Sequence, residues 1–197
     1  PEEITAVARA LSQAGYDMKA SGIENVSAVL STVTASLGAL GVQEAVELGV
    51  NLERGFGNGK RSMQELIDVA VEGSNMFPMT LDKISTSMGY ATESAVSYGQ
   101  SLESVVVSLG VLMPVVKTAS KAGVAYRNTL AAISRPFTTR FLRKEGIKAR
   151  DSEGNFRNIM DIMADIFAKT EKMRAKDAKT GDHKFEQLMH KMFGIRG

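Results

Sequence analysis

The sequence predicts a mainly α fold: a multi-helix globular domain with one small β-hairpin near 147–157. Three observations carry this expectation. Apolar residues recur at helical spacing, cap signatures stand before the apolar runs, and glycines punctuate their ends. Met63, Leu66, Ile67, Ala70 and Val71 fall at i, i+3, i+4, i+7 and i+8. Ile159, Ile162, Met163, Ile166 and Phe167 repeat the pattern, as do Phe185, Leu188, Met189, Met192 and Phe193. That spacing places an apolar stripe on one face of a helix.

Helices are expected near 2–14, 23–40, 42–54, 62–73, 80–98, 101–116, 120–134, 136–145, 158–174 and 183–193. Ser21 with Glu24, Ser62 with Glu65, and Asn158 with Asp161 have capping-box form: the first side chain can accept from the fourth residue's N–H while the fourth reaches back. Ser101 follows Gly99 and precedes an apolar run, so it reads as a further N-cap. Gly15, Gly41, Gly55, Gly73 and Gly99 stand where helices should stop. The helix at 101–116 carries Pro114, which should end or bend it. Between helices, Ile147–Ala149 and Asn155–Arg157 flank Asp151-Ser152-Glu153-Gly154, which suggests the hairpin. Residues 175–182 are polar and read as a loop.

The 19 uncharged residues between Glu24 and Glu44 need weighing, because a membrane-spanning helix takes about 20 mostly apolar residues. Ser27, Ser31, Ala35 and Ala39 form a small-residue ridge that lets helices approach closely. Five Ser and Thr side chains dilute the run, and no basic or aromatic flank anchors it. A buried core helix is therefore favoured over a membrane helix. The chain begins at Pro1 without a basic start and apolar run, so no secretory signal is expected, and the missing Met suggests a fragment or processed chain.

Composition narrows the chemistry. Hydrophobic residues make up 44% and aromatics 6%, with no Trp, so small aliphatic side chains must do the packing. With no Cys, disulfides, thiolate metal sites and cysteine nucleophiles are excluded; the lack of Cys fits a reducing compartment. Gly57-Asn58-Gly59-Lys60-Arg61-Ser62 looks like a phosphate loop, but Arg54 and Arg61 stand where that pattern needs Gly and Ser or Thr. Asp151, Glu153 and Asn155 resemble the start of a calcium loop, yet Phe156 and Ile162 occupy the required Gly and Glu positions. His183 and His190 lie two helical turns apart with no third metal ligand in view. No catalytic, cofactor or metal site is expected, and the chain reads as non-enzymatic.

Charge is segregated. Residues 1–116 hold 6 basic and 13 acidic residues, whereas 117–150 hold 9 basic residues and a single acid, Glu145. Residues 151–197 are nearly balanced, with 9 basic and 8 acidic. The division suggests an acidic sub-unit at 1–116 and a second at 117–197 with the basic helices, hairpin and C-terminal helices. Lys117, Lys121, Arg127, Arg135, Arg140, Arg143, Lys144, Lys148 and Arg150 cannot all pair locally, so they are candidates for a surface that docks an acidic partner. Self-association through the acidic half of a neighbouring copy is one such arrangement. Only Tyr126, Phe137 and Phe141 could stack on bases in this segment, so no sequence-specific nucleic-acid binding is expected.

An ordered set of short words carries a family resemblance. Gly99-Gln100-Ser101-Leu102-Glu103 is followed by Leu109-Gly110-Val111-Leu112, then Lys121-Ala122-Gly123-Val124-Ala125-Tyr126-Arg127 and Ala131-Ala132-Ile133-Ser134-Arg135-Pro136. Glu145-Gly146-Ile147, Asp151-Ser152-Glu153-Gly154-Asn155-Phe156-Arg157, Ile159-Met160-Asp161-Ile162 and a terminal Phe193-Gly194-Ile195-Arg196-Gly197 complete the order. Across residues 20–197 it resembles the core region of phage tail tape measure proteins. Val124 and Tyr126 depart from that family's usual Thr and Leu. The resemblance implies one helical segment, 1–197, of a longer structural protein that sets tail length, takes part in tail assembly and leaves the tube ahead of DNA. It also implies a place in the virion tail after assembly in the host bacterial cytoplasm, from a phage or prophage. The implied partners are tail tube, tail-tip and assembly chaperone proteins. A membrane-active helical domain aiding envelope penetration is the alternative.

Overall fold

Helix boundaries follow the caps that the chain supplies. A computed structural model of the protein describes residues 2–16, 22–36 and 38–176. Among these are nine α-helices and no sheet: α1 (Glu2–Gln13), α2 (Gly22–Ala35), α3 (Val42–Leu52), α4 (Met63–Met76), α5 (Leu81–Ser97), α6 (Leu102–Val116), α7 (Ala119–Ser134), α8 (Pro136–Lys144) and α9 (Ile159–Lys176). A π-helical turn, Glu53–Gly57, follows α3 directly. Ahead of α4, the Ser62 hydroxyl accepts from Glu65 N–H at 3.3 Å while the Glu65 carboxylate accepts from Ser62 N–H at 2.7 Å. A cap of this kind contributes about 1 kcal/mol. Ser101 caps α6 by accepting from Ser104 N–H at 3.2 Å. Asn158 caps α9 by accepting from Met160 N–H at 2.9 Å. The Ser21 box, the 175–182 loop beyond Lys176, the 183–193 helix with its Phe185–Phe193 stripe, both histidines and the terminal Phe193–Gly197 word lie outside the described residues.

Two compact units divide the chain. The first comprises Pro1–Val96 and Ser101–Tyr126. Within it, α4 touches α2, α3 and α6, and its predicted stripe points inward: Met63, Leu66, Ile67 and Ala70 are buried, with Val71 half-buried. Leu102, Val106 and Leu109 of α6 join the same core. Gly73 does not stop α4, which runs on to Met76. A Cβ on Gly73 would stand 2.2 Å from a Val106 methyl, so this glycine lets α4 and α6 close together. Gly41 likewise begins α3 rather than ending α2, and Gly55 lies inside the π-helical turn. Pro114 sits within the last turn of α6, which ends at Lys117 in the left-handed conformation.

The uncharged run forms a core helix shorter than expected. α2 stops at Ala35, and the Ser36 hydroxyl accepts from Leu40 N–H at 3.1 Å, which turns the chain. Val26, Val29 and Thr32 are buried, whereas the ridge of Ser27, Ser31, Ala35 and Ala39 faces outward. No single helix among the described residues is long and apolar enough to cross a membrane. α6 and α7 pass on length and composition only as a pair, bent by 118°.

The second unit comprises Ser97–Gln100 and Arg127–Gly197. Buried Gln100 organises it: its Nε2 donates to the Tyr98 and Arg157 carbonyls, each at 3.1 Å, and its Oε1 accepts from Ile159 N–H at 2.8 Å. The first turn of α9 is thereby fixed beside the 98–100 segment. The Tyr98 ring lies 5.4 Å from that of Phe156, and the Ser134 hydroxyl donates to the Tyr98 hydroxyl at 3.0 Å. Leu130, Ile133, Leu142, Ile159, Ile162 and Ile166 are buried. Phe167, expected on the apolar stripe of α9, is instead 57% exposed.

The β-hairpin expected at 147–157 does not form. A single antiparallel bridge joins Arg150 and Phe156, framed by Arg157 N–H to the Ala149 carbonyl and Asp151 N–H to the Asn155 carbonyl, each at 3.0 Å. Neighbouring helices take the flanking backbone. Ile147 N–H donates to the Leu142 carbonyl at 2.8 Å, closing α8 around Gly146 at φ 83°. On the other side Asn158 already caps α9, so no ladder can extend.

Candidate functional site

All nine basic residues singled out from the sequence are exposed, and none forms an ion pair among the described residues. Lys117 ends α6 and Lys121 lies on α7, both in the first unit. The other seven belong to the second unit. Arg127 is on α7, Arg135 is the N-cap of α8, and Arg140, Arg143 and Lys144 are on α8. Lys148 and Arg150 lie in the turn after it, where the Arg150 guanidinium donates to the Gly154 carbonyl at 2.8 Å.

Of these, α8 brings three onto one face. Thr138 and Leu142 point to the core. The opposite arc presents Arg143, Arg140 and Lys144, with Phe137 beside them, 64% exposed. Pro136 begins the helix with a φ already suited to it. Arg143 and Lys144 occupy the last turn, where cations meet the negative end of the helix dipole. That is a stabilising reason for two of the cations, but not for Arg140 or the exposed ring. Glu145, the single acid of the segment, is turned to Lys169: the ammonium lies 3.8 Å from its carboxylate and donates to its carbonyl at 2.8 Å. Phe137 within the basic arc, and the diversion of Glu145, are features that charge counting missed. A helical wheel bounded by Pro136 and Gly146 would have revealed the first.

Elsewhere the local chemistry is structural. In the Gly57–Ser62 segment, Lys60 and Arg61 N–H both donate to the Gly57 carbonyl, at 2.9 and 3.1 Å, so the turn does not offer them to a phosphate. Arg61 instead reaches Glu103 at 2.8 Å. Burial alone would raise the Glu103 pKa, but its own backbone N–H and Arg61 outweigh that and hold the carboxyl below its ordinary value. The Asp151 carboxylate accepts from Glu153 and Asn155 N–H at 2.9 and 2.8 Å, as a turn residue does. No group of three or more metal-ligating side chains occurs among the described residues. An open cleft of about 450 Å³ lies between Gln13, Gln43, Glu47, Asn51 and Arg54. Arg54 there donates to the Ala14 carbonyl, and the neighbouring Tyr16 hydroxyl donates to Glu53.

One buried side-chain polar atom lacks a partner among the described residues, the Tyr126 hydroxyl. Burial pushes its pKa well above the ordinary phenol value. Without a base or acceptor beside it, it has no route to proton transfer. Tyr126→Phe is expected to be neutral or to raise stability by about 1 kcal/mol, since it removes an unpaired buried hydroxyl and keeps the ring. A loss above that size in chemical denaturation would show that the hydroxyl is bonded in solution.

The sequence profile of the family described as phage-related minor tail protein matches residues 1–194. The chain is also similar to a probable tape measure protein of Escherichia phage P2, with 26% identity over 144 residues, 72% of this chain. The match covers 18% of that relative's length. No solved structure gives a significant match.

Proposed function

The chain belongs to the phage-related minor tail protein family, and on that footing we propose that it is a non-catalytic structural segment of a tail tape measure protein. Its work is in tail assembly, in setting tail length and in the passage of DNA from the tail, within the virion. The carrying observation is the match along residues 1–194, joined by a tape measure relative. The fold suits this reading: two helical units, with no group of three or more metal-ligating side chains among the described residues. Other tail components, further copies of this chain among them, are the partners, and the contact surface is the exposed basic set of the second unit, Arg127 to Arg150, centred on α8. The partner presents acidic groups, because nine cations share one local acid and Lys169 takes it.

Two measurements test this. Arg140→Glu, Arg143→Glu and Lys144→Glu together should leave the helical circular dichroism spectrum unchanged, since all three side chains are exposed. The same variant should lose binding to its tail partner. Unfolding by the triple reversal would make the block an internal structural element and remove the docking role. Leakage of anionic vesicles by the wild-type chain would favour a membrane-active role instead.

A further inference from the structure

We propose that the basic face of α8 docks the acidic face of α4 on a second copy of this chain. The inference rests on the contact role just given to the basic surface and names its partner. Asp68, Glu72 and Met76 follow one another at i, i+4 and i+8 along the solvent side of α4, and all three are exposed, Met76 by 65%. Neither carboxylate is ion-paired among the described residues. Asp68 accepts only from the neutral Gln64 amide, at 2.6 Å. Glu65 shares this side but is held in the capping box, so it is not counted.

The two faces have matching registers. With a rise of about 1.5 Å per residue, Glu72 and Asp68 lie about 6 and 12 Å along α4 from Met76. On α8, Arg140 and Lys144 lie about 4.5 and 10.5 Å from Phe137. An antiparallel crossing therefore sets the Met76 thioether against the Phe137 ring, Glu72 against Arg140, and Asp68 against Lys144. Arg143 stands beside the last pair. Arg140 and Lys144 each meet an anion, and the two exposed apolar side chains meet each other, the thioether making a favourable sulfur–aromatic contact. A parallel crossing would set Phe137 against an acid and leave Met76 beyond the end of α8. Every copy carries both faces, so the contact is heterologous and joins copies head to tail.

The test uses sedimentation velocity at low ionic strength on three chains: wild type, the α8 reversal (Arg140→Glu, Arg143→Glu, Lys144→Glu), and an α4 reversal (Asp68→Lys, Glu72→Lys). Wild type should self-associate, and each reversal should weaken this by about tenfold or more, because like charges then face each other. Mixing the two reversed chains should restore association, since each now offers what the other lacks. A wild-type chain that stays monomeric, or a mixture that does not associate, overturns the proposal. If only the α8 reversal matters, the basic surface keeps its docking role and α4 is not its partner. If the α8 reversal has no effect on self-association, α8 is not the face that joins copies and this proposal falls, while the contact role of the basic surface is decided separately by whether the same variant loses its tail partner. An independent readout exploits the lack of Cys. Met76→Cys and Phe137→Cys chains mixed with oxidised glutathione should give a disulfide-linked heterodimer well above its statistical share; a merely statistical yield refutes the register.

Discussion

Leu109→Ala should lower the stability of the first unit by about 2–5 kcal/mol. Leu109 is fully buried on α6, with Leu102 and Val106 on the same helix equally enclosed. Gly73 already brings α4 to within a methyl's breadth of Val106 on the same helix, so α6 has little room to move toward α4 and fill the space that a truncation leaves. Truncation therefore leaves a cavity as well as removing buried methyl groups, which places the loss toward the upper part of the range. Against a total stability of about 5–15 kcal/mol for a unit of this kind, the melting temperature should drop on the order of 10 °C. Val111→Ala, two residues along but 52% exposed, should change stability by less than about 0.5 kcal/mol. Equal melting temperatures for wild type and Leu109→Ala would remove α6 from the core.

The contrast between those two positions also shows what was legible in the sequence. Helix existence was, because its causes are local: Ser62 and Glu65 satisfy each other within one turn, and the spacing of Met63, Leu66, Ile67 and Ala70 names the inward face without a partner in view. Features set by a distant neighbour were not. Gly73 reads as a stop until Val106, on another helix, explains why a glycine must sit inside α4. Asp151 and Gly154 carry hairpin chemistry and do make the tight turn, yet helix caps on both sides consume the backbone that a ladder would need. Phe167 keeps helical period with Ile159, Ile162 and Ile166, but it lies at the edge of the stripe and faces outward.

The candidate surface divides in the same way. Its charge was readable, since nine cations against Glu145 is a matter of composition. Its shape was not, because the wheel of α8 turns on boundaries set by Pro136 and by the Gly146 cap. The loss of Glu145 to Lys169 joins residues far apart in the chain. Gln100 shows the same thing for the second unit: it sits inside a short recognisable word, while its partners Arg157 and Ile159 sit in two later ones.

Gly123→Ala should destabilise the first unit by about 3 kcal/mol, against the usual trend for glycine in a helix. A glycine in an exposed helix interior costs about 1 kcal/mol relative to alanine, so replacement normally stabilises. Gly89 on α5 is such a case: it is exposed, and an added Cβ meets nothing within 4 Å. Gly89→Ala should therefore gain about 0.5–1 kcal/mol. At Gly123 the added Cβ would stand 2.3 Å from the Ser87 carbonyl oxygen and 2.8 Å from the Tyr90 Cβ. Neither obstacle is the end of a flexible side chain, so α7 must shift off α5 and disturb Ala122 and Tyr126, both buried beside it. That displacement outweighs the gain in helix propensity and reverses the sign. Urea denaturation of the two variants decides the matter, with midpoints expected on opposite sides of wild type. A rise for both would mean that α5 and α7 stand farther apart in solution than the structure places them.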